Sequence, residues 1–174
     1  MKSLGHYLFI SFLLITSAQS ETVIRHGEIR PFYGPDDLNL DPEKVVVAID
    51  VYGDENRVVN GVLFETDKQS HSNVKVVASN AIDGWASKPN YTGIDQKSVD
   101  NLEEIMRDIR WESAPKALEI EVSKLQPGIE YELQMLFNEG ADRDRRWDIA
   151  LEGELMVDDL SRLNRERLKK QTAK

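Results

Sequence analysis

The chain has 174 residues, no cysteine, and a formal charge of −9 from 31 acids and 22 bases. Without cysteine there is no thiol catalysis, no cysteine metal site and no disulfide staple, so burial and hydrogen bonding alone must hold the fold. An acidic chain is repelled by phosphate backbones, which argues against a nucleic-acid partner.

Lys2 precedes a largely apolar run over residues 4–15, interrupted by Gly5, His6 and Ser11. Ala18-Gln19-Ser20 then places small residues where a signal peptidase reads. Residues 1–20 are therefore expected to be a signal peptide, cut after Ser20. The run is too short to span a bilayer, which takes about 20 residues. The processed chain is expected to be secreted or periplasmic and not membrane-spanning. Its 154 residues suffice for one domain with a core. Its charge is −10, divided into about −15 for residues 21–160 and +5 for residues 161–174.

Residues 21–44 read as an irregular lead-in, because Pro31, Gly34-Pro35, Asp36-Asp37 and Asp41-Pro42 are closely spaced breakers. Phe32 and Tyr33 are its candidates for packing. Residues 45–51 are β-branched and apolar, as in a buried strand. A second strand over residues 57–65 is broken by Asn60-Gly61, a hairpin or bulge signal. Residues 73–78 give a weaker third strand. Residues 79–97 read as a long loop. Over residues 98–110, Val99, Leu102, Ile105, Met106 and Ile109 recur at helical spacing, so one amphipathic helix is predicted.

Leu118, Ile120 and Val122 alternate with polar residues, and so do Tyr131, Leu133, Met135 and Phe137. Between them Leu125-Gln126-Pro127-Gly128 turns the chain. The Leu-x-Pro-Gly-x-x-Tyr spacing resembles a tyrosine corner, whose phenol bonds to backbone just upstream. Trp147, Ile149 and Leu151 alternate again, and Glu152-Gly153 turns into a last strand. Leu160, Leu163 and Leu168 among basic residues suggest a short C-terminal helix. The expected fold is mainly β: an antiparallel β-sandwich over residues 45–160 with one amphipathic helix, followed by a basic tail at residues 161–174.

The chemistry-bearing residues are few. His26 and His71 are isolated and read as exposed histidines rather than zinc ligands. Calcium needs only oxygen ligands, and Asp54-Glu55-Asn56, Asp142-Arg143-Asp144 and Asp158-Asp159 are its candidate turns. No cofactor or metal is predicted. Any chain with 31 acids will hold some carboxylate pair at glycosidase spacing, so that signal discriminates nothing. No Gly-x-Ser-x-Gly elbow or phosphate loop is present, and no enzymatic activity is predicted. Trp85 and Tyr91 sit in a polar loop beside Asp83, Asn90 and Asp95. An aromatic platform flanked by carboxylates and amides suits the C–H faces and hydroxyls of a sugar. Trp85, Tyr91, Asp83 and Asn90 are therefore the candidate ligand-binding residues, the alternative being that Trp85 plugs one end of the sandwich. Trp111 and Trp147 read as core. Asn90-Tyr91-Thr92 is also a glycosylation sequon.

Residues 48–54 (Ala-Ile-Asp-Val-Tyr-Gly-Asp) and 59–67 (Val-Asn-Gly-Val-Leu-Phe-Glu-Thr-Asp) resemble the opening of malectin and malectin-like domains. There an Ala-Val-Asn-x-Gly-Gly strand leads to an x-Gly-x-x-[Phe/Tyr]-x-x-Asp strand. Residues 130–137 are similar to that family's Tyr-x-Leu-x-Leu-x-Phe-Ala-Glu strand, with Asn138-Glu139 in place of Ala-Glu. Residues 146–159 are similar to its Arg-x-Phe-Asp-[Ile/Val]-x-[Ile/Val]-x-Gly element, with Trp147 in the Phe slot. The likeness spans residues 45–67 and 117–160, while residues 68–116 depart from the pattern. It implies a galactose-binding-like jelly roll that recognises carbohydrate through loops at one end. The chain stops where the family continues, and no family binding residue is carried over. The expected function is that of an exported, non-catalytic carbohydrate-binding module. The alternative is a structural or protein-interaction domain of the cell envelope that engages a protein or polyanion through the basic tail.

Overall fold

A computed structural model of the chain describes residues 6–12, 29–68, 73–84, 88–138 and 145–161. Among the described residues strands dominate, with one α-helix and no barrel. His26, His71, Trp85, the Asp142-Arg143-Asp144 turn and the expected C-terminal helix lie outside the described residues.

The largest sheet has five strands in the order β10-β9-β1-β8-β5. These are β1 (His6–Phe12), β5 (Val74–Val77), β8 (Ala117–Val122), β9 (Arg146–Leu151) and β10 (Glu154–Ser161). β8 and β9 form where the period-two alternation stands. Glu152 (φ 51) and Gly153 (φ 82) make the turn between β9 and β10, two left-handed residues as a tight hairpin requires.

A three-stranded sheet is ordered β2-β4-β3, from β2 (Ile49–Asp50), β3 (Arg57–Val59) and β4 (Val62–Thr66). Asn60 (φ 47) and Gly61 (φ 80) close the β3–β4 hairpin as their sequence signals. A third, two-stranded sheet pairs β6 (Asn80–Ile82) with β7 (Ile109–Trp111).

Several expectations are corrected. Two of the three sheets are mixed, because β1 runs parallel to both β8 and β9, and β2 runs parallel to β4. His6–Phe12, within the expected signal peptide, forms β1, and the expectation that residues 1–20 are cut off on export is not among those corrected. The strand expected over residues 45–51 shrinks to two residues, and Val46 is exposed. The helix, α1, spans Gln96–Ile105 rather than residues 98–110. Asp95 starts it by accepting from Lys97 N and Ser98 N. Beyond Met106 the chain leaves the helix to pair Ile109–Trp111 with Asn80–Ile82, at the start of the supposed 79–97 loop. Residues 129–138 run outside every sheet. The tyrosine corner does form: Gln126 N donates to Tyr131 Oη at 2.9 Å.

The tightest core joins Leu38, from a 3-10 turn over Pro35–Leu38, to Val59, Val62 and Phe64 of the hairpin and Leu102, Ile105 and Met106 of α1. Phe32 of the lead-in packs against it, while Tyr33 stays exposed. Asn60 N donates to Ser98 Oγ at 2.9 Å and Asn101 Nδ2 to Val58 O at 2.8 Å, which fixes the helix on the hairpin. A second, smaller cluster on the large sheet joins Ile149 and Leu160 with Ile120, Met135, Phe137, Trp147, Leu151 and Val157.

Candidate functional site

Because β2 and β4 are parallel, their C-terminal ends open on one side. Asp50 stands opposite Thr66 in the register, and the chain then turns through Val51, Tyr52 and Gly53. The turn is closed by Gly53 N donating to Asp50 O at 3.3 Å, and Asp67 N donates to that same carbonyl at 3.3 Å. Thr66 Oγ1 donates to Gly53 O. The end of β6 and the start of β7 arrive at the same place, bringing Asp83 and Gly84 from one strand end and Asp108 and Arg110 from the other.

Asp50 is fully buried, and neither carboxylate oxygen has a partner among the described residues. A Cβ on Gly53 would overlap that carboxylate, so only glycine lets the turn close over it. Burial, then the nearby Asp108 charge, pushes the Asp50 carboxyl up to about 7. Burial also raises Asp108, against the opposing effect of Gly84 N, which donates to its Oδ1 at 2.8 Å.

Tyr52 is half-buried at the centre. Its φ of 69 puts a bulky residue in the left-handed region, which costs about 1 kcal/mol or more and persists only where surroundings hold it. Here Tyr52 N donates to Asp67 Oδ1 at 2.5 Å. Lys68 Nζ lies 4.2 Å from the ring centroid and Arg110 Cζ lies 5.0 Å from it. Arg110 Nε pairs with Asp67, whose side chain is nearly buried. Lys68 pairs with Asp54 and approaches Asp83 Oδ2 at 3.8 Å. The hydrogen bond from Lys68 holds Asp54 below the usual carboxylate range and raises Lys68 in turn. The neighbouring Asp83 charge adds to the rise of Asp108. The result is a half-buried aromatic ring ringed by alternating acids and bases, at an end of the strands.

The four residues predicted from loop chemistry are only partly brought together. Asp83 joins this site. Tyr91 does not stand as a free platform: its ring packs on the tight core and against Phe32, with ring centroids 5.2 Å apart. Asn90 beside it is exposed. Trp85 lies outside the described residues. The loop carrying them is strapped along α1. Tyr91 N donates to Glu103 Oε1 at 2.9 Å, and Lys88 Nζ pairs with Glu104 Oε1 at 2.9 Å and Glu103 Oε2 at 3.2 Å. Asp50, Tyr52, Asp67, Lys68, Asp108 and Arg110 were missed by sequence reasoning. One signal pointed at them: a lone acid, Asp50, inside an apolar β-branched run.

Among the described residues, no group of three histidine or carboxylate side chains is placed to hold a metal ion. Two of the acidic turns considered for calcium have a carboxylate held by a cation, Asp54 by Lys68 and Asp159 by Arg146 at 2.6 Å. No helix among the described residues is long and apolar enough to cross a membrane. No protein-family model, curated protein or solved structure matches the chain.

Proposed function

We propose that this chain is an exported, non-catalytic recognition module that binds a neutral carbohydrate at the loop end around Tyr52. The strands are read as the layers of a jelly-roll sandwich, as the likeness to malectin domains implies. The observation that carries the reading is the Tyr52 ring set among Lys68, Arg110, Asp54, Asp67 and Asp83. A sugar hydroxyl is at once donor and acceptor, so a surface that alternates carboxylates with ammonium and guanidinium groups satisfies both roles. Acids outnumber bases there, which disfavours an anionic polymer and suits a neutral one. The cations already over the Tyr52 ring make hydroxyl bonding, rather than stacking, the main contact. Asp54 and Asp67 are engaged with Lys68 and Arg110, an arrangement for holding rather than for proton transfer.

The test is binding of neutral oligosaccharides by the wild-type chain and by Tyr52→Ala and Asp83→Asn. Loss of roughly tenfold or more in affinity, about 1.4 kcal/mol, is expected in each variant. Affinity unchanged in both, or no binding to any sugar, overturns the reading.

One observation favours the protein-interaction alternative. Val58 and Leu63 are cross-strand partners, and both are exposed on the outer face of the β3–β4 hairpin. Leu63→Asp would abolish partner capture under that reading and leave sugar binding intact.

A further inference from the structure

β8 and β9 run parallel to one another with a single strand, β1, between them. The register rows Leu118–Leu8–Ile149 and Ile120–Ile10–Leu151 run straight across the three. In sequence, β8 and β9 are separated by residues 123–145, which contain the alternating residues 130–137. Two parallel strands with one strand position between them have the same geometry as the outer pair of an up-down-up meander. A middle strand that leaves β8 by one turn and enters β9 by another must run antiparallel to both. The first turn already exists: Gly128 has φ 79, Ile129 N donates to Gln126 O at 3.4 Å, and Tyr131 Oη pins the corner. Yet residues 130–138 form no ladder, and Leu133 is 44% exposed.

The segment already lies against the position it would fill. Met135 and Phe137 pack on the cluster of Ile120, Ile149, Leu151 and Trp147, and the Phe137 and Trp147 rings are 5.8 Å apart. Leu136 and Gln134 face the other way: Leu136 packs on the tight core and Gln134 Nε2 donates to Leu38 O at 3.2 Å. The two-faced alternation of a strand is therefore present outside any ladder. Placing Phe137 opposite Trp147 fixes the rest of the register. Met135 falls in the row of Ile149 and Leu118, Leu133 in the row of Leu151 and Ile120, and Tyr131 beside Val122. All four apolar residues land on the alternating rows that β8 and β9 present, and a slip of one residue would turn every one of them outward.

We infer that residues 130–137 and His6–Phe12 are alternative occupants of one strand position, and that withdrawal of the N-terminal strand lets residues 130–137 enter between β8 and β9. The exchange replaces a parallel ladder, the less stable kind per residue, with an antiparallel one closed by short connections. It also brings residues 130–137, which lie in no ladder, into a regular one. If residues 1–20 are removed on export, the exchange makes the mature sheet a consequence of processing.

The test uses the full chain, which has no cysteine of its own, carrying Ile120→Cys and Leu133→Cys. With β1 seated beside β8, Leu133 is exposed and in no register with Ile120, and little disulfide is expected. Adding Leu8→Pro and Ile10→Pro removes ladder donors from β1 and should expel it. Disulfide yield is then expected to rise, and amides of residues 130–137 to gain roughly tenfold or more protection from hydrogen exchange. Unchanged cross-linking, or protection lost throughout the chain, overturns the inference. A second variant separates folding failure from exchange failure. Leu133→Pro alone should leave the full chain's unfolding midpoint in place, and in the proline-disrupted β1 background it should erase the new protection. A collapse of the full chain on Leu133→Pro alone also counts against it.

Discussion

Among the described residues, the half built on α1 and the β3–β4 hairpin is closed, whereas the five-stranded sheet is only partly covered. Leu102 and Val59 have no exposure at all, and every buried member of their cluster is at 7% or less. The buried members of the sheet's cluster, Ile149 and Leu160, sit at 9% and 8%, and the rest are half-buried. Both halves have apolar residues at the right period. What differs is coverage: the hairpin receives a helix and a 3-10 turn on its inner face, while the sheet receives loose chain in the form of residues 130–138. Periodicity marks which face wants burial, and only a second layer supplies it.

The site at Tyr52 lies on the closed half and stores a cost there, which pH can expose. The Asp50 carboxyl titrates at about 7 when folded, against an ordinary value of 3.8. The folded chain therefore holds a proton that the unfolded chain gives up. The contribution of Asp50 is fully present below about pH 4 and is lost as pH rises through 7. Its size is on the order of 4 kcal/mol. Urea midpoints should fall between pH 5 and pH 8, and Asp50→Asn should flatten that fall by raising stability at pH 8. Below pH 4 stability should fall again, because Asp54, Asp95 and Glu104 are held below their ordinary values by their hydrogen-bonded partners.

Truncation sharpens the contrast between halves. Leu102→Ala is expected to cost roughly 3 kcal/mol or more, since its surroundings cannot collapse around the gap. Ile149→Ala, in the thinner layer, should cost about half as much in the same denaturation measurement. Smaller again is the helix start: Asp95→Ala removes the acceptor for Lys97 N and Ser98 N and should cost about 1 kcal/mol. Equal losses at Leu102 and Ile149 would erase the distinction drawn between the two regions.

Local structure was legible where the code is local. Asn60-Gly61 and Glu152-Gly153 form turns, Ala117–Val122 and Arg146–Leu151 form strands, and Tyr131 makes its corner. The helix end was misplaced because Ile109 continues the helical spacing but is claimed by strand pairing with Ile82. A tertiary partner overrides period. His6–Phe12 was opaque as a strand because an apolar leader and an inner strand have the same composition. The site was illegible for a different reason. Asp50, Asp67, Asp83, Asp108 and Arg110 come from four strand ends, and no spacing along the chain relates them. Asp83 was chosen for its loop chemistry, and the lone acid Asp50 inside an apolar run was a signal passed over. Loop polarity selected Tyr91, whose ring belongs to the core.

The central functional claim is most directly tested by titrating the isotope-labelled chain with a panel of neutral oligosaccharides and following backbone and side-chain resonances. The account predicts saturable shifts at Tyr52, Lys68, Asp83, Gly84 and Arg110, with the amides of Gln96 to Leu102 unmoved. Shifts confined to other surfaces, or none with any sugar, would contradict it.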